Sequence, residues 1–309
     1  MDSIKKVAVS GATGTVGMAI IKSLAENDFE VTALVRETKE YGLPPQVTIQ
    51  VVDYEHTTMN TLTSMLTGQD AVVCALGGPD SSGPQLLLTE AAVKAGVKRF
   101  IPADYGIDTE NARATSLPFF DTKRNIHESL KRYASMGSIT YSLICTGAFL
   151  DHGLETGFLV NLREKTVKLY DGGDVVFSTT IVADVAKAVT GVLKHYEETI
   201  NRAVYVQTTE TTLKKLAEMA MEATGPEGWK QEVVSAGQLL QEGYDERKKA
   251  EPNISISEHS FICVAGLCEG YGTHFKHLDN ELLGIKQLDD TGLEALVSNT
   301  AKIIAQGTV

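Results

Sequence analysis

The sequence predicts an α/β fold: a doubly wound parallel sheet followed by a smaller, mixed α/β C-terminal part. Three observations carry this. Between residue 6 and about residue 145, short runs of almost pure apolar residues alternate with amphipathic stretches. Strands apolar on both faces and separated by helices belong to a parallel sheet covered on both sides. The first apolar run leads into GATGTVG and then a helical pattern, and after about Gly147 the alternation gives way to a mixture of helices and short strands.

In chain order, the strands of the first part are expected at Val7–Ser10, Val31–Val35, Thr48–Val52, Ala71–Ala75, Arg99–Ile101 and Thr140–Cys145. Helices are expected at Val16–Glu26, Met59–Leu66, Gln85–Ala95 and Lys123–Tyr133, with helical spacing plain in Ile20, Ile21, Leu24 and in Leu86, Leu87, Thr89, Ala91, Val93. In the second part, helical patterns cover Leu154–Leu162, Ile181–His195, Thr212–Ala223 and Gln238–Ala250, with short strands around Val167–Tyr170 and Ala203–Val206. Gly225-Pro226 stops one of these helices and Pro252 follows another. Ile254–Gly270 is apolar at roughly helical spacing, suited to covering a pocket. Few Pro/Gly-rich linkers occur, so residues 151–309 are expected to pack on residues 1–150, with segments around 175–206 returning to the first part.

A chain of 309 residues suits a dinucleotide-binding domain plus a substrate-binding part. A net charge of −12 argues against nucleic acid as a partner, because the phosphate backbone would be repelled. No 18-residue apolar run occurs, and the chain enters its first strand without an apolar leader, so a cytoplasmic protein without membrane contact is expected, as a monomer or homodimer. Cys74, Cys145, Cys263 and Cys268 show no zinc spacing and no accompanying His cluster, so reduced, mostly buried thiols and no metal are expected.

Gly11, Gly14 and Gly17 form GxxGxxG between the first strand and the first helix. Gly11 allows the sharp turn, Gly14 lets backbone N–H groups approach a pyrophosphate, and Gly17 lets the helix pack closely. Thr13, Thr15 and Val16 lie in the same turn, and the helix N-terminus supplies the anion site. The context is that of a Rossmann nucleotide fold. Arg36, at the end of the second strand, replaces the acidic residue that would select a ribose 2′-OH, so its guanidinium and Lys39 point to the 2′-phosphate of NADPH, with Glu37 between them opposing. Asp53 is placed near the adenine, and Leu76-Gly77-Gly78 opens the crevice at the carboxyl ends of the strands, where Gly77 and Gly78 read equally as loop glycines without a chemical role.

The Tyr-Lys pair four residues apart that serves many short-chain dehydrogenases has one match, Tyr244–Lys248, far beyond the nucleotide part and unsuited to catalysis. In the right region stands FFDTKRNIHESL. Lys123, near the start of a helix, is exposed to the helix dipole, to Arg124 and to burial in a cleft, all of which lower a lysine pKa toward the range useful for general acid–base work. A solvated lysine is the competing reading. His127 lies one turn further on the same face and is placed to relay a proton; His152 follows the pocket segment.

GATGTVG, VRE after the second strand, KRFIPADYG after the fifth, FFDTKRNIHESL, SITYSLICTGAFLDH and STTIVADVAKAV together resemble the isoflavone reductase-like group of the NmrA-like atypical short-chain dehydrogenases. That group includes isoflavone, pinoresinol–lariciresinol and phenylcoumaran benzylic ether reductases. The likeness covers most of residues 5–200 and fades beyond about 210. It implies Lys123 as the catalytic residue, Arg36 as the reader of the NADP 2′-phosphate, and Ala103, Lys123 and Phe149 beside the cofactor. The chain departs from the group's PSEFG with Pro102-Ala103-Asp104-Tyr105-Gly106, and carries Thr146-Gly147-Ala148-Phe149 after the sixth strand. Tyr105, Phe149 and His152 therefore stand as substrate contacts, and the plant substrates do not transfer. The resemblance implies an NADPH-dependent reductase delivering hydride to a conjugated, aromatic small molecule (enone, ketone or quinone methide), with Lys123 as acid. The rivals are a non-catalytic NADP(H) sensor of the NmrA type and a non-redox isomerase or dehydratase on the same scaffold.

Overall fold

Val7–Val9, Ala33–Val35 and Ala71–Cys74 are all but inaccessible to solvent, and these runs make the centre of the protein. The computed structural model describes residues 4–78 and 81–307; residues 1–3 of the opening segment lie outside the described residues. The first part contains β1 (Lys6–Ser10), α1 (Thr15–Glu26), β2 (Glu30–Val35), β3 (Thr48–Val51), α2 (Met59–Leu66), β4 (Ala71–Cys74), α3 (Ser82–Lys94), β5 (Arg99–Ile101), a short α4 (Ala112–Thr115), α5 (Asp121–Ser135) and β6 (Thr140–Cys145). The second contains β7 (Ala148–Phe149), α6 (Leu150–Glu155), β8 (Thr166–Tyr170), β9 (Phe177–Thr180), α7 (Val182–Lys194), β10 (Arg202–Tyr205), β11 (Thr209–Thr211), α8 (Leu213–Thr224), β12 (Lys230–Val234), α9 (Ala236–Arg247), α10 (Ile254–Leu267) and α11 (Asp290–Ala305).

Seven strands form one sheet in the order β10-β6-β5-β4-β1-β2-β3, every pair parallel. The expected doubly wound fold is present. On one face, Ile20, Ile21 and Leu24 of α1 meet Val189 and Val192 of α7; on the other, Leu62, Leu66, Leu88, Ile126 and Leu130 of α2, α3 and α5 cover the strands. Burial of each such side chain contributes about 1.5–3 kcal/mol. β10 and α7 thus join the nucleotide-type layer although they come from the second half of the chain. The chain turns back between β3 and β4, so the reversal of strand order falls between β1 and β4, where an open α/β sheet forms its ligand crevice.

Arg99 lies inside this sheet, fully buried. It donates to Thr140 Oγ1 at 2.8 Å, Ser142 Oγ at 2.5 Å, Thr199 Oγ1 at 3.1 Å and the Tyr196 carbonyl at 2.7 Å, and it stacks 4.3 Å from the Tyr196 ring. Burial lowers its pKa to about 10, so it remains a cation that ties β5 and β6 to the α7–β10 connection.

The rest of the chain builds a three-stranded sheet, β11-β9-β7, and the parallel pair β12–β8, around a separate core that includes Leu154, Phe177, Leu216, Phe261 and Leu293. The expected helix Leu154–Leu162 is corrected: α6 runs Leu150–Glu155, because Gly157 adopts a left-handed φ of +79° and Leu159 N–H bonds back to the Gly153 carbonyl at 3.0 Å. β9, β11, β12 and α11 add to the expected elements. All four cysteines are buried and free, and burial pushes Cys74, Cys145 and Cys268 up to about 12 and Cys263 up to about 11. Among the described residues, no helix is long and apolar enough to cross a membrane.

Candidate active site

The glycine turn sits at the reversal of strand order. Gly11 has φ +74°, and a Cβ there would lie 2.3 Å from the Ala75 carbonyl oxygen, so the turn is pressed against the end of β4. A Cβ on Gly17 would lie 2.1 Å from the Gly11 oxygen, which fixes the close approach of α1 to the turn. Gly14 differs: its Cβ position is open apart from an ordinary 3.5 Å contact. Thr13, Gly14 and Thr15 are exposed, while Val16 is half-buried. No side chain caps the N-terminus of α1 and no acidic residue stands in its first turn, so this 12-residue helix presents unshielded N–H groups, a natural seat for an anion.

Arg36 follows β2 and is exposed. Glu37 pairs with Lys39 at 2.6 Å, so Lys39 is engaged, and among the described residues Arg36 is the cation of this segment left for a phosphate. Asp53, beyond β3, accepts from the Glu55 N–H at 3.0 Å and pairs with His56 at 2.7 Å; these contacts hold its carboxyl below the usual range. Leu76, Gly77 and Gly78 form the loop after β4, with both glycines exposed.

Beyond β5 the chain runs on to Gly106, which bridges to Cys145 at the end of β6. Ala103 N–H is bonded to Gln85 Oε1 at 2.7 Å, and the Gly106 carbonyl accepts from Thr146 N–H at 2.9 Å and Gly147 N–H at 2.8 Å. This fastens Asp104, whose side chain is 2% exposed, against α5. Lys123 Nζ donates to the Asp104 carbonyl oxygen at 2.9 Å and stands 3.9 Å from Asp104 Oδ1; His127 Nε2 lies 2.8 Å from Asp104 Oδ2. An ionised carboxylate only accepts, so His127 Nε2 carries the proton. The rings of Phe119 and Phe120 flank the ammonium at 5.8 and 5.7 Å.

Burial pulls Lys123 below the ordinary lysine range, and the Asp104 carboxylate opposes that pull. For Asp104, burial pushes upward, but His127 and then Lys123 outweigh it and hold the carboxyl below its ordinary value. Arg124, expected to add to the effect on Lys123, instead turns to Asp121 and the Thr115 carbonyl. The sequence pattern singled out Lys123 and His127 and missed Asp104 as the group joining them; the signal was the acid of PADYG facing a Lys-x-x-x-His turn.

Beside this triad opens an apolar cavity of about 220 Å³, bordered by Tyr105, Phe149, His152, Phe158, Ile262 and four glycines. Tyr105, Phe149 and His152 are thereby brought together as expected. The Tyr105 hydroxyl is buried without a partner, and burial, with Cys74 and Asp104 nearby, raises its pKa well above 10. His152 is partly exposed, 3.9 Å from Glu155. A larger depression of about 540 Å³, bordered by Glu210, His274 and Lys276, touches none of the candidate residues.

The model of the NmrA-like family matches residues 3–246. The chain belongs to the NmrA-like family. This family member is 30% identical over 242 residues to the oxidoreductase poxI of Penicillium oxalicum, covering 77% of this chain and 76% of that protein. It is 28% identical to the oxidoreductase aprR of Aspergillus flavus over 91% of this chain and 94% of that one. Among solved structures, the leucoanthocyanidin reductase–NADPH complex from Vitis vinifera superposes with a TM-score of 0.71 at 16% identity, covering 96% and 99% of the two chains, a likeness of fold. α10 and α11 lie beyond the segment matched by the family model.

Proposed function

We propose that this NmrA-like protein is an NADPH-dependent reductase of a conjugated aromatic small molecule, with Lys123 as general acid. The observation that carries this reading is a half-buried lysine held by Asp104 beyond the carboxyl end of β5, with Tyr105 and Gly106, the residues after Asp104, bordering an apolar cavity. A solvated surface lysine has neither the burial nor the fixed partner. The oxidoreductase names of the relatives, and the NADPH in the leucoanthocyanidin reductase complex, support it.

The residues present fit the dinucleotide. The uncapped N-terminus of α1 and the exposed Thr13–Thr15 stretch suit the pyrophosphate, the free guanidinium of Arg36 suits the 2′-phosphate, and Asp53 and the Leu76–Gly78 loop border the crevice. Ala103, Lys123 and Phe149 would flank the nicotinamide. In this reading residues 1–150 hold the cofactor and residues 151–309 shape the acceptor pocket. NADPH, when bound, supplies a hydride. Lys123 gives a proton to the oxygen on which negative charge develops, and its lowered pKa eases that transfer. Asp104 keeps the ammonium in place, and His127, bonded to the other carboxylate oxygen, fixes Asp104 and lies one step along a path for reprotonation. Tyr105, Phe149 and His152 exclude water from the acceptor.

The test is NADPH titration followed by turnover on a panel of aromatic enones and ketones with wild type and Lys123→Ala. Loss of a general acid lowers kcat by about 10²–10⁴, with NADPH affinity retained. Full activity in Lys123→Ala, or tight NADPH binding without turnover on any acceptor, would refute the mechanism.

A further inference from the structure

Four glycines border the acceptor cavity; two of them, Gly147 and Gly153, have no room for a side chain, and Gly106 has little. A Cβ would lie 3.2 Å from the Asp104 carbonyl oxygen at Gly106, 1.9 Å from the Ser178 carbonyl oxygen at Gly147 and 2.8 Å from Leu159 Cγ at Gly153. Gly266 is different. It lies in α10, and its Cβ would meet only Ile107 Cγ2, at 4.0 Å. A glycine in a helix costs about 0.5–1 kcal/mol relative to alanine, and nothing in the protein's own packing requires one here. One helical turn earlier on the same face, Ile262 also borders the cavity.

We infer that Gly266 is a specificity-determining residue: with Ile262 it makes α10 the wall that sets acceptor size, and the space left by its missing side chain admits the edge of a flat, neutral acceptor with one aromatic ring and short substituents. The proposal takes the acceptor site from the reductase reading; the wall itself rests on geometry. The cavity of about 220 Å³ exceeds the ~150 Å³ void that takes a benzene and falls below the ~300–1,000 Å³ typical of larger ligands. Its titratable wall residues are Tyr105 and His152, and among the described residues no lysine or arginine borders it, which leaves Lys123, beyond the wall, for the acceptor oxygen alone. α10 lies beyond residues 3–246, the segment matched by the family model.

The experiment measures binding of trans-4-phenylbut-3-en-2-one, a one-ring enone, and of trans-chalcone, its two-ring counterpart. Calorimetry with and without NADPH is run on wild type, Gly266→Ala and Gly266→Leu, alongside thermal melts and turnover. Wild type is expected to bind phenylbutenone more tightly than chalcone. Gly266→Leu should weaken phenylbutenone binding at least tenfold, Gly266→Ala by a smaller factor, and NADPH affinity should stay within twofold. Unchanged phenylbutenone binding in a Gly266→Leu protein that melts like wild type overturns the proposal, as does a wild type that binds chalcone more tightly or binds neither enone. Binding lost in the variant, with no NADPH oxidation by wild type, upholds the wall and sinks the reductase reading; turnover with an unchanged KM does the reverse. If Gly266→Leu does not fold, Ile262→Phe is read against the same outcomes.

Discussion

The two inner glycines of the turn invite a paired substitution that separates packing from ligand binding. Gly17→Ala places a methyl 2.1 Å from the Gly11 oxygen and 2.8 Å from its carbonyl carbon, so about 1 Å of backbone movement is needed to restore a tolerable contact. The turn has nowhere to retreat, because Gly11 is itself pressed against Ala75. Overpacking of this kind costs about 1–3 kcal/mol, and alanine's better helix propensity offsets up to about 1 kcal/mol of it. A net cost of about 1.5 kcal/mol, the middle of that range, at roughly 2–4 °C of Tm per kcal/mol puts Gly17→Ala about 3–6 °C below wild type, with weaker NADPH binding. Gly14→Ala has an extended backbone (φ −79°, ψ 165°) and only a 3.5 Å contact, so its Tm should not move. Its methyl nevertheless stands on the exposed face that would receive the pyrophosphate, and NADPH affinity should fall about tenfold or more. Differential scanning fluorimetry and NADPH fluorescence titration read the two effects. Wild-type NADPH affinity in Gly14→Ala would mean that the turn does not hold the dinucleotide, and a wild-type Tm in Gly17→Ala would sink the packing account.

Two further substitutions probe the charges. Asp104→Asn removes the carboxylate that holds the Lys123 pKa up against burial, so Lys123 loses its proton at lower pH and the alkaline limb of kcat/KM moves to lower pH; an unmoved limb would show that Lys123 does not set it. The same variant tests stability: the folded-state pKa of Asp104 is depressed, so its stabilisation is present above the unfolded value near 3.8 and lost as pH falls through the folded value. Wild type should therefore out-melt Asp104→Asn at pH 7, with the gap closing in strong acid. Arg36→Ala should cut the preference for NADPH over NADH at least tenfold, with NADH affinity little changed; an unaltered preference would assign the 2′-phosphate elsewhere.

The parallel sheet was legible because its strands are buried on both faces and read as unbroken apolar runs, such as AVVC in β4. β12 escaped notice because KQEVV is largely exposed in a two-stranded piece and carries no such run. Lys123 could be placed because a motif and a helix phase locate it. The role of Asp104 could not, since its two partners lie 19 and 23 residues away and meet it only through the extension of β5 toward α5. Gly266 was invisible for a related reason: a glycine near a helix end usually reads as a stop signal, and only the empty space beside it shows otherwise.

β10 reaches its place beside β6 only after some sixty intervening residues, with Arg202 opposite Ser142. A nascent chain therefore cannot complete the sheet on the ribosome until α6, β8, β9 and α7 have emerged. A chain ending near residue 150 would offer TYSLIC as a bare apolar edge, open to pairing with any other exposed strand. The two halves are thus poor currency for recombination: a swap at that point would have to bring its own closing strand, whereas an exchange beyond β10 alters the acceptor wall and leaves the sheet whole.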